Sequence, residues 1–237
     1  MNFTFLTLFP SLINSYFEDS ILKNAISKKL ITINTINIRD YAKDKYKKAD
    51  HAQIGGGAGQ VLSPNVIEDA LNDLKNPKHV IFLSPVGKPF THNDSVRLTQ
   101  KSHIVLLCGR YEGFDERSIE MRADEIFSIG DFVLTGGELP ALCICDSISR
   151  QIQGVLGNPD SLIRESFQSH LLEAPNFSRV MNLEKKFENF IPPSEFSKGN
   201  HSRIADLKNN LAILKTKYFR PDLYQKWKAT QRVENEK

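Results

Sequence analysis

The sequence contains few of the residues that cross-link small extracellular domains or bind structural metals. Only three cysteines occur in 237 residues, and Cys143 and Cys145 alternate within an apolar stretch, so their side chains diverge on a strand or a helix. There is no Cys-x-x-Cys or His-x-x-x-His spacing, which argues against a disulfide framework and against a zinc site. We therefore expect the cysteines to be buried structural thiols and expect no metal ligands among them.

Long apolar runs and an export signal are also missing. No stretch approaches the roughly 18 apolar residues of a membrane helix, and residues 1–10 have neither a basic segment nor a small-residue cleavage site. With 40% apolar residues, the chain can still bury one sizeable core and a smaller second module. We expect a soluble, cytoplasmic protein of one large and one small domain, with no membrane partner.

Glycine is clustered, but the clusters lack two common nucleotide-binding signatures. The richest loop, Ile54–Val61, has no lysine where a P-loop requires one, which disfavours an NTPase. A dinucleotide fingerprint starting at Gly55 fails at its third glycine. The loop by itself therefore assigns no ligand.

Net charge is only +3, yet the basic residues are unevenly placed. Residues 197–232 hold nine Lys/Arg against two Asp/Glu, a local excess of +7 that leaves −4 for the remainder. A second, weaker basic run covers Lys43–Lys48. Both runs fit either a solvated surface or a surface that binds phosphates.

Apolar periodicity predicts alternating strands and helices, hence an α/β fold with a covered parallel sheet. Glycine-rich loops follow the strand ends and precede the helices. Parallel α/β sheets bind ligands at this position. The predicted strands cover 4–9, 31–38, 79–83 and 103–108. The predicted helices cover 11–29, with Leu12, Phe17, Ile21 and Ile26 toward the core, 64–74, with Ser63 as N-cap, 94–100 and 139–152.

Beyond the last of these helices the pattern changes twice. Residues 158–178 lose periodicity and contain proline, serine and mixed charges, which is typical of an interdomain linker. Helical spacing returns from Asn200, with one apolar face formed by Ile204, Leu207, Leu211 and Leu214. We predict a sheet domain at 1–157, a linker at 158–178 and a basic helical domain at 179–237.

Several ordered sequence blocks are far more specific than the periodicity. Together they closely resemble the bacterial tRNA (guanine-N1)-methyltransferase family of the SPOUT, or trefoil-knot, superfamily, and the similarity runs from about Phe3 to Leu223. The longer blocks are Leu107–Arg117 and Ser128–Pro140. The shorter ones are Gly55–Gly59, Leu83–Gly87, Ser149–Arg150, Glu165–Phe167, Gly199–His201 and Arg220–Leu223.

The resemblance implies a deep trefoil knot in the C-terminal part of the sheet domain and a homodimer whose interface builds the active site. It also implies S-adenosylmethionine as methyl donor and N1 of tRNA guanosine 37, next to the anticodon, as acceptor. Glycine loops let backbone groups approach such a donor closely, although glycines also simply make tight turns. The implied cofactor-binding residues are Leu83, Ser84, Pro85, Gly109, Tyr111, Glu112, Gly113, Ile129, Gly130, Asp131, Phe132, Val133, Leu134, Gly136, Gly137 and Pro140.

By the same resemblance, the catalytic residues are Glu165, which takes the N1 proton, and Arg150. The family commonly has aspartate before Ser-Phe, so Glu165 keeps the carboxylate but lengthens its reach. A surface glutamate in a linker is the alternative interpretation. Glu173 likewise stands where the family usually has aspartate.

The implied substrate-binding residues come from the glycine-rich loop, the second block, the linker and the start of the basic domain. Ile54 and Ala58 replace the family's usual tyrosine and proline, which weakens the assignment of base contacts there. Asp115, Glu116 and Arg117 also lie in the second block, and for them there are two interpretations: a functional role, or capping of the next helix. Mg²⁺ is an additional expectation from the family, although the residues contain no dedicated metal site. The substrate-binding residues are Gly55, Gly59, Arg110, Ser166, Glu173, Asn200 and His201.

Two other functions fit the same residues. A knotted methyltransferase acting on another RNA position or on a ribose hydroxyl would need no carboxylate at Glu165. A non-enzymatic RNA-binding protein would use the basic C-terminal region and bind tRNA without any affinity for the methyl donor.

Overall fold

The structure is a computed structural model that describes residues 1–75, 77–163, 165–178 and 191–235. The chain divides into two compact units, Met1–Pro159 and Asp160–Lys237.

The first unit is built on a five-stranded sheet in which every pair of neighbours is parallel. Its strands are β1 (Asn2–Thr7), β2 (Thr32–Asn37), β5 (His79–Pro89), β6 (His103–Cys108) and β7 (Glu125–Ser128), in the order β2-β1-β6-β5-β7. A separate antiparallel hairpin joins β3 (Asp50–Ala52) to β4 (Gln60–Leu62). The predicted α/β class with a parallel central sheet is therefore confirmed.

Six helices accompany the sheet, and two apolar cores form on its opposite faces. Because successive side chains of a strand point to opposite faces, β1 sends Phe3 and Phe5 into one core and Leu6 into the other. β6 divides in the same way, with Leu106 in the first core and Leu107 in the second. The helices are α1 (Pro10–Asn14), α2 (Ser20–Ser27), α3 (Pro64–Asp73), α4 (His92–Leu98), α5 (Glu116–Arg122) and α6 (Glu138–Ser149).

The long helix predicted at 11–29 is wrong. A 3₁₀ turn at Ser15–Phe17 separates α1 from α2, and Asp19 caps the new helix by accepting a hydrogen bond from the Ser20 amide at 2.6 Å. The two helices present different faces, so Leu12 and Ile21 are exposed rather than turned to the core. Phe17 is buried as predicted, and Ile26 packs against the same core.

The second half of the sheet also departs from the prediction. β5 continues six residues past Leu83, because a register shift lets Lys88 and Pro89 pair with β7. At Gly87 a Cβ atom would lie 2.6 Å from the Phe127 backbone, so only glycine fits between these strands. The short strand β7 and the β3–β4 hairpin were not predicted.

Smaller differences concern helix ends and cysteines. Ser63 occupies the N-cap position of α3, but its side chain makes no capping hydrogen bond. α4 begins earlier than predicted, because Thr91 and Asp94 form a capping box. Cys108 and Cys145 are buried, and burial raises the pKa of both thiols. Cys143 lies on the exposed side of α6, so the prediction that it is buried is wrong.

The second unit contains α7 (His201–Phe219) and α8 (Pro221–Asn235), with a 3₁₀ turn at Ser194–Ser197, and a further 3₁₀ turn, Pro159–Leu162, begins at the last residue of the first unit. Leu214, predicted to lie on the apolar face of this helix, is 61% exposed. Thr216 is buried instead, accepting a hydrogen bond from the Leu172 amide at 2.8 Å and donating to the Ala212 carbonyl at 2.7 Å. Residues 179–190 of the predicted basic domain lie outside the described residues. In the parts of the chain described, no helix is both long and apolar enough to cross a membrane.

A charged cluster ties the edge strand β7 to α4 and to the end of β5. Asp94 accepts hydrogen bonds from Lys88 at 3.1 Å and from Arg97 at 3.0 Å, and Glu125 accepts one from Arg97 at 2.6 Å. Burial raises the pKa of Asp94 and Glu125, but hydrogen bonds outweigh it, the largest being the one from the Thr91 hydroxyl for Asp94 and the one from Arg97 for Glu125. The net result is a pKa below the ordinary 3.8 for Asp94 and below 4.5 for Glu125.

The lowered pKa values predict a loss of stability in acid. A carboxylate whose pKa is lower in the folded than in the unfolded chain stabilises the fold above its unfolded pKa, and the contribution disappears as pH falls through the folded pKa. Asp94→Asn should therefore cost about 1–3 kcal/mol near neutral pH and progressively less below about pH 4. Urea unfolding at a series of pH values measures this, and a cost that does not change with pH would contradict it.

Candidate active site

A cleft of about 230 Å³ lies at the carboxyl ends of β6 and β7 and beside the middle of β5, where the register shift occurs. This is the edge at which parallel α/β sheets bind ligands, because the loops that leave neighbouring strands converge there. Three segments form its walls: residues 83–85 in the middle of β5, the loop after β6 and the loop after β7. The lining residues are Leu83, Ser84, Pro85, Gly109, Arg110, Tyr111, Glu112, Gly113, Phe114, Phe127, Ser128, Ile129, Phe132, Val133, Leu134, Thr135, Gly136, Gly137 and Pro140.

The structure brings most of the predicted cofactor-binding residues together in this cleft. Of the sixteen, only Gly130 and Asp131 are not part of its lining. Gly130 helps to shape the third loop, since its amide bonds to the Ser128 hydroxyl at 3.2 Å. Sequence reasoning missed Phe114, Phe127, Ser128 and Thr135, although all four lie within or beside the blocks that carried the resemblance.

The second and third loops meet where α6 begins. The Gly137 amide donates a hydrogen bond to the Gly109 carbonyl at 2.8 Å, and a Cβ atom at Gly137 would lie 2.6 Å from the Gly109 nitrogen. A side chain at position 137 would therefore push α6 away from the end of β6. The paired glycines explain how the two loops can form adjacent walls of one cleft.

Arg110 connects these loops to the core through Glu138, which the sequence reasoning did not select. The Arg110 Nε donates to Glu138 Oε2 at 2.8 Å, and Arg110 Nη1 donates to the Thr135 carbonyl at 3.2 Å. The Thr7 hydroxyl donates to Glu138 Oε1 at 2.6 Å. Glu138 is only 4% exposed, and the Arg110 guanidinium also lies 4.6 Å from the ring centre of Phe9. Arg110 thus lines the cleft and links three separate segments.

The glycine-rich loop of the β3–β4 hairpin reaches the same region. The Glu112 amide donates to the Gln60 carbonyl at 3.0 Å, and a Cβ atom at Gly59 would lie 2.4 Å from Glu112 Oε1. Gly59 also has φ +87°, so both the lack of space for a Cβ atom and the left-handed backbone conformation favour glycine there. Gly55, by contrast, faces open space. Of the two glycines predicted to contact substrate, the structure places Gly59 against a cleft residue.

The residues that follow the second loop serve a structural purpose. Asp115 is the N-cap of α5 and accepts a hydrogen bond from the Arg117 amide at 3.0 Å. Its carboxylate also pairs with the Arg117 guanidinium at 2.7 Å. Asp115 therefore caps α5, as in the capping interpretation, and Arg117 is its partner. Glu116 is the exposed first residue of that helix.

The predicted base lies in the second unit, on the wall of a different cavity. This cavity has a volume of about 450 Å³ and is lined by Glu165, Glu173 and the α7 residues Ala205, Asp206 and Lys208, among others. The Ser166 hydroxyl accepts a hydrogen bond from the Glu173 amide at 3.0 Å, which closes the linker segment on itself.

The other predicted residues occupy helix ends. Arg150 is the C-cap of α6 in the first unit, where its amide donates to the Asp146 carbonyl at 3.0 Å. Asn200 is the N-cap of α7 and accepts from the Arg203 amide at 3.1 Å. His201 is the exposed first residue of that helix. Across the described residues there is no group of three or more His, Cys, Asp or Glu side chains that could hold a metal ion.

The fold and the cleft define the class first: an α/β protein with a cleft at one edge of its parallel sheet, formed by the loops after β6 and β7 and by the middle of β5. Comparison with known proteins then gives the family. A profile described as tRNA (Guanine-1)-methyltransferase TrmD matches residues 1–226. The chain belongs to this family, and the resemblance inferred from the sequence blocks is confirmed.

Individual relatives agree over nearly their whole length. The tRNA (guanine-N(1)-)-methyltransferase of Helicobacter hepaticus is 60% identical over 229 residues, which cover 97% of this chain and 95% of the relative. The protein of the same description from Helicobacter pylori strain ATCC 700392 / 26695 is 58% identical over 229 residues, covering 97% and 100%. That of Campylobacter jejuni strain RM1221 is 54% identical over 227 residues, covering 94% and 97%.

Proposed function

We propose that this chain transfers the methyl group of S-adenosylmethionine to N1 of guanosine 37 in tRNA, with Glu165 as the general base. The observation that carries the proposal is the cleft, because the blocks characteristic of the family supply all three of its walls. Family membership supports the reaction type, a tRNA guanine-N1 methyl transfer.

The residues of the cleft fit S-adenosylmethionine chemically. Phe132, Val133 and Leu134 are consecutive apolar side chains that lie exposed along one wall, and apolar surface of this kind is stabilised when a ligand covers it. Adenine and the methylene groups of the donor would cover it. The backbone N–H and C=O groups of Gly109, Gly113 and their neighbours would form hydrogen bonds with the polar atoms of the donor. When bound, the donor supplies an electrophilic methyl group on a sulfonium.

The acceptor must be activated before the transfer. Guanine N1 carries a proton, so its lone pair becomes nucleophilic as the proton leaves, and negative charge then gathers on O6. We propose that the Glu165 carboxylate accepts the proton from N1. The new N1–CH₃ bond forms as the S–CH₃ bond breaks, and the sulfur keeps that electron pair and becomes a neutral thioether. Arg150 is the cation that we propose for the charge on O6.

The architecture we propose around this chemistry is the family's trefoil knot, domain arrangement and homodimer. After β7, at the edge of the sheet, the chain returns to the end of β6, where Gly137 bonds to Gly109, and α6 then packs against β1 and β6. This return supports a knotted path. The proposed linker is 158–178, the proposed helical tRNA-binding domain is 179–237, and a second copy of the chain completes the active site.

The C-terminal charge fits a role in tRNA binding. The +7 excess over residues 197–232 falls mainly on α7 and α8. Lysine and arginine in this arrangement neutralise stem phosphates and give affinity that falls steeply with salt, with little base specificity. We propose that the target guanine is instead read after it leaves the loop stack and enters the region beside the cleft.

One experiment tests the proposal as a whole. Unmodified tRNA transcripts, incubated with the protein and methyl-labelled donor, should become labelled on N1 of guanosine 37, as mapped by nuclease digestion and mass spectrometry. Label on another nucleotide or on a ribose hydroxyl would replace the assignment with a different RNA methyltransferase. Binding of tRNA with no donor affinity in calorimetry, with or without tRNA, would support a non-enzymatic RNA-binding protein.

A further inference from the structure

A compact basic loop, residues 43–48, protrudes from the first unit and has no part in the chemistry above. It carries four lysines and one aspartate, and Tyr46 at its centre is 84% exposed. An exposed aromatic ring set between lysines is the combination with which proteins bind single-stranded nucleic acid, because lysines contact phosphates and the ring stacks on a base.

The loop is held in one conformation by Asp44. Its carboxylate accepts hydrogen bonds from the Tyr46 amide and the Lys48 amide, both at 2.8 Å, and its carbonyl accepts one from the Lys47 amide at 3.1 Å. The Lys48 hydrogen bond is the largest of the effects that hold the pKa of Asp44 below its usual value. An aromatic ring and cations on a fixed turn lose little entropy on binding.

The lysines of the loop have two different roles. Lys43 pairs with Asp69 at 2.8 Å and Lys47 pairs with Asp40 at 2.9 Å, so both anchor the loop to the unit. Lys45 and Lys48 make no ion pair with any residue that the structure describes, and both side chains are exposed. The loop therefore presents two lysines that make no ion pair, one on either side of Tyr46, and after Asp44 is counted it keeps one excess positive charge.

Arg39 connects this loop to the cleft. Its guanidinium donates to the Lys47 carbonyl at 3.5 Å and to the Tyr111 hydroxyl at 3.1 Å, and Tyr111 lines the cleft. A single side chain thus bridges the basic loop and the wall of the proposed methyl-donor site. A target base that enters the region beside the cleft would bring its neighbouring nucleotides to the side of the cleft that Arg39 joins to the loop.

We propose that residues 43–48 form a second tRNA contact, in which Lys45 and Lys48 bind anticodon-loop phosphates and Tyr46 stacks on an unpaired base. The proposal rests on the function proposed above and adds a contact outside the basic C-terminal helices. Charge complementarity and the link through Arg39 favour RNA over a protein partner for this surface.

The test compares tRNA binding by variants with the same change in charge. Lys45→Ala/Lys48→Ala should weaken the Kd for an unmodified tRNA transcript about tenfold and make the slope of log Kd against log salt shallower by about 1 to 2. Lys23→Ala/Lys101→Ala removes two exposed lysines elsewhere in the first unit and should match the wild type. Tyr46→Ala should weaken binding about fivefold or more, whereas Tyr46→Phe keeps the ring and should not.

The outcomes separate the two proposals. If the loop variants bind tRNA as tightly as the wild type, with the same salt slope and unchanged donor affinity in calorimetry, the loop is only a solvated surface and the inference is wrong. If the wild type binds tRNA through the loop but labels no guanine N1, the loop contact stands and the proposed reaction fails. If the wild type binds no tRNA, both are overturned.

Discussion

Glu165→Gln should lower the single-turnover rate of methyl transfer to tRNA by about 100-fold or more, because positioned general bases contribute roughly 10²–10⁴ to such rates. Glutamine has the size and shape of glutamate but cannot accept the N1 proton. The substitution should leave the Kd values for tRNA and for the methyl donor within about twofold of the wild type, since only the proton transfer is removed. Rapid-quench measurement with enzyme in excess reports the chemical step directly.

Two further variants make the result specific to the carboxylate at this position. Glu195→Gln makes the same change in charge at another half-buried glutamate of the second unit, one that pairs with Lys198 at 2.9 Å, and should leave the rate unchanged. Glu165→Asp restores the residue common in the family and should retain most of the rate. A Glu165→Gln enzyme with the wild-type rate would instead identify this residue as an ordinary linker glutamate and leave the base unassigned.

The cleft was predictable because its walls are made of short, contiguous segments. The three wall segments coincide with the blocks that resembled a family, and the second of them follows β6, whose apolar pattern is visible in the sequence, although β7, which precedes the third, was not predicted. Parallel strands bring their carboxyl ends to one edge of the sheet, so the loops after β6 and β7 meet there, beside the segment of β5 that follows Leu83. The cleft residues that were not predicted, such as Phe114 and Thr135, are neighbours of predicted ones. Predicting them would have required knowing which side chains of each segment face the cleft.

Other features depend on contacts between distant residues and left no local pattern. β5 extends beyond Leu83, where the predicted strand ended, only because β7 is present to pair with Lys88 and Pro89. The break between α1 and α2 depends on Asp19 and on Ser20, whose φ of +63° no periodicity encodes. The buried carboxylate of Glu138 contacts a residue 131 positions away. Sequence periodicity describes one element at a time and cannot report such pairs.

Glu138→Ala should destabilise the protein by about 3–5 kcal/mol, which for a chain of this size corresponds to a fall in Tm of about 10 °C. The substitution leaves the guanidinium of Arg110, which is only 18% exposed, without its carboxylate, and removes the acceptor of the fully buried Thr7 hydroxyl. It should also weaken donor binding at least tenfold, because Arg110 holds Thr135 and the third loop in place from inside the cleft.

Two further variants show whether the loss of stability in Glu138→Ala comes from breaking the buried Arg110–Glu138 pair or from removing a carboxylate at the start of a helix. Glu116→Ala makes the same change at the exposed first residue of α5 and should cost less than about 1 kcal/mol. The double variant Arg110→Ala/Glu138→Ala should be less destabilised than the sum of the two single variants, because removing both charges leaves neither of them unpaired. Thermal unfolding and donor calorimetry measure both effects. Strictly additive costs, with donor affinity unchanged in Glu138→Ala, would mean that Glu138 neither stabilises Arg110 nor shapes the cleft.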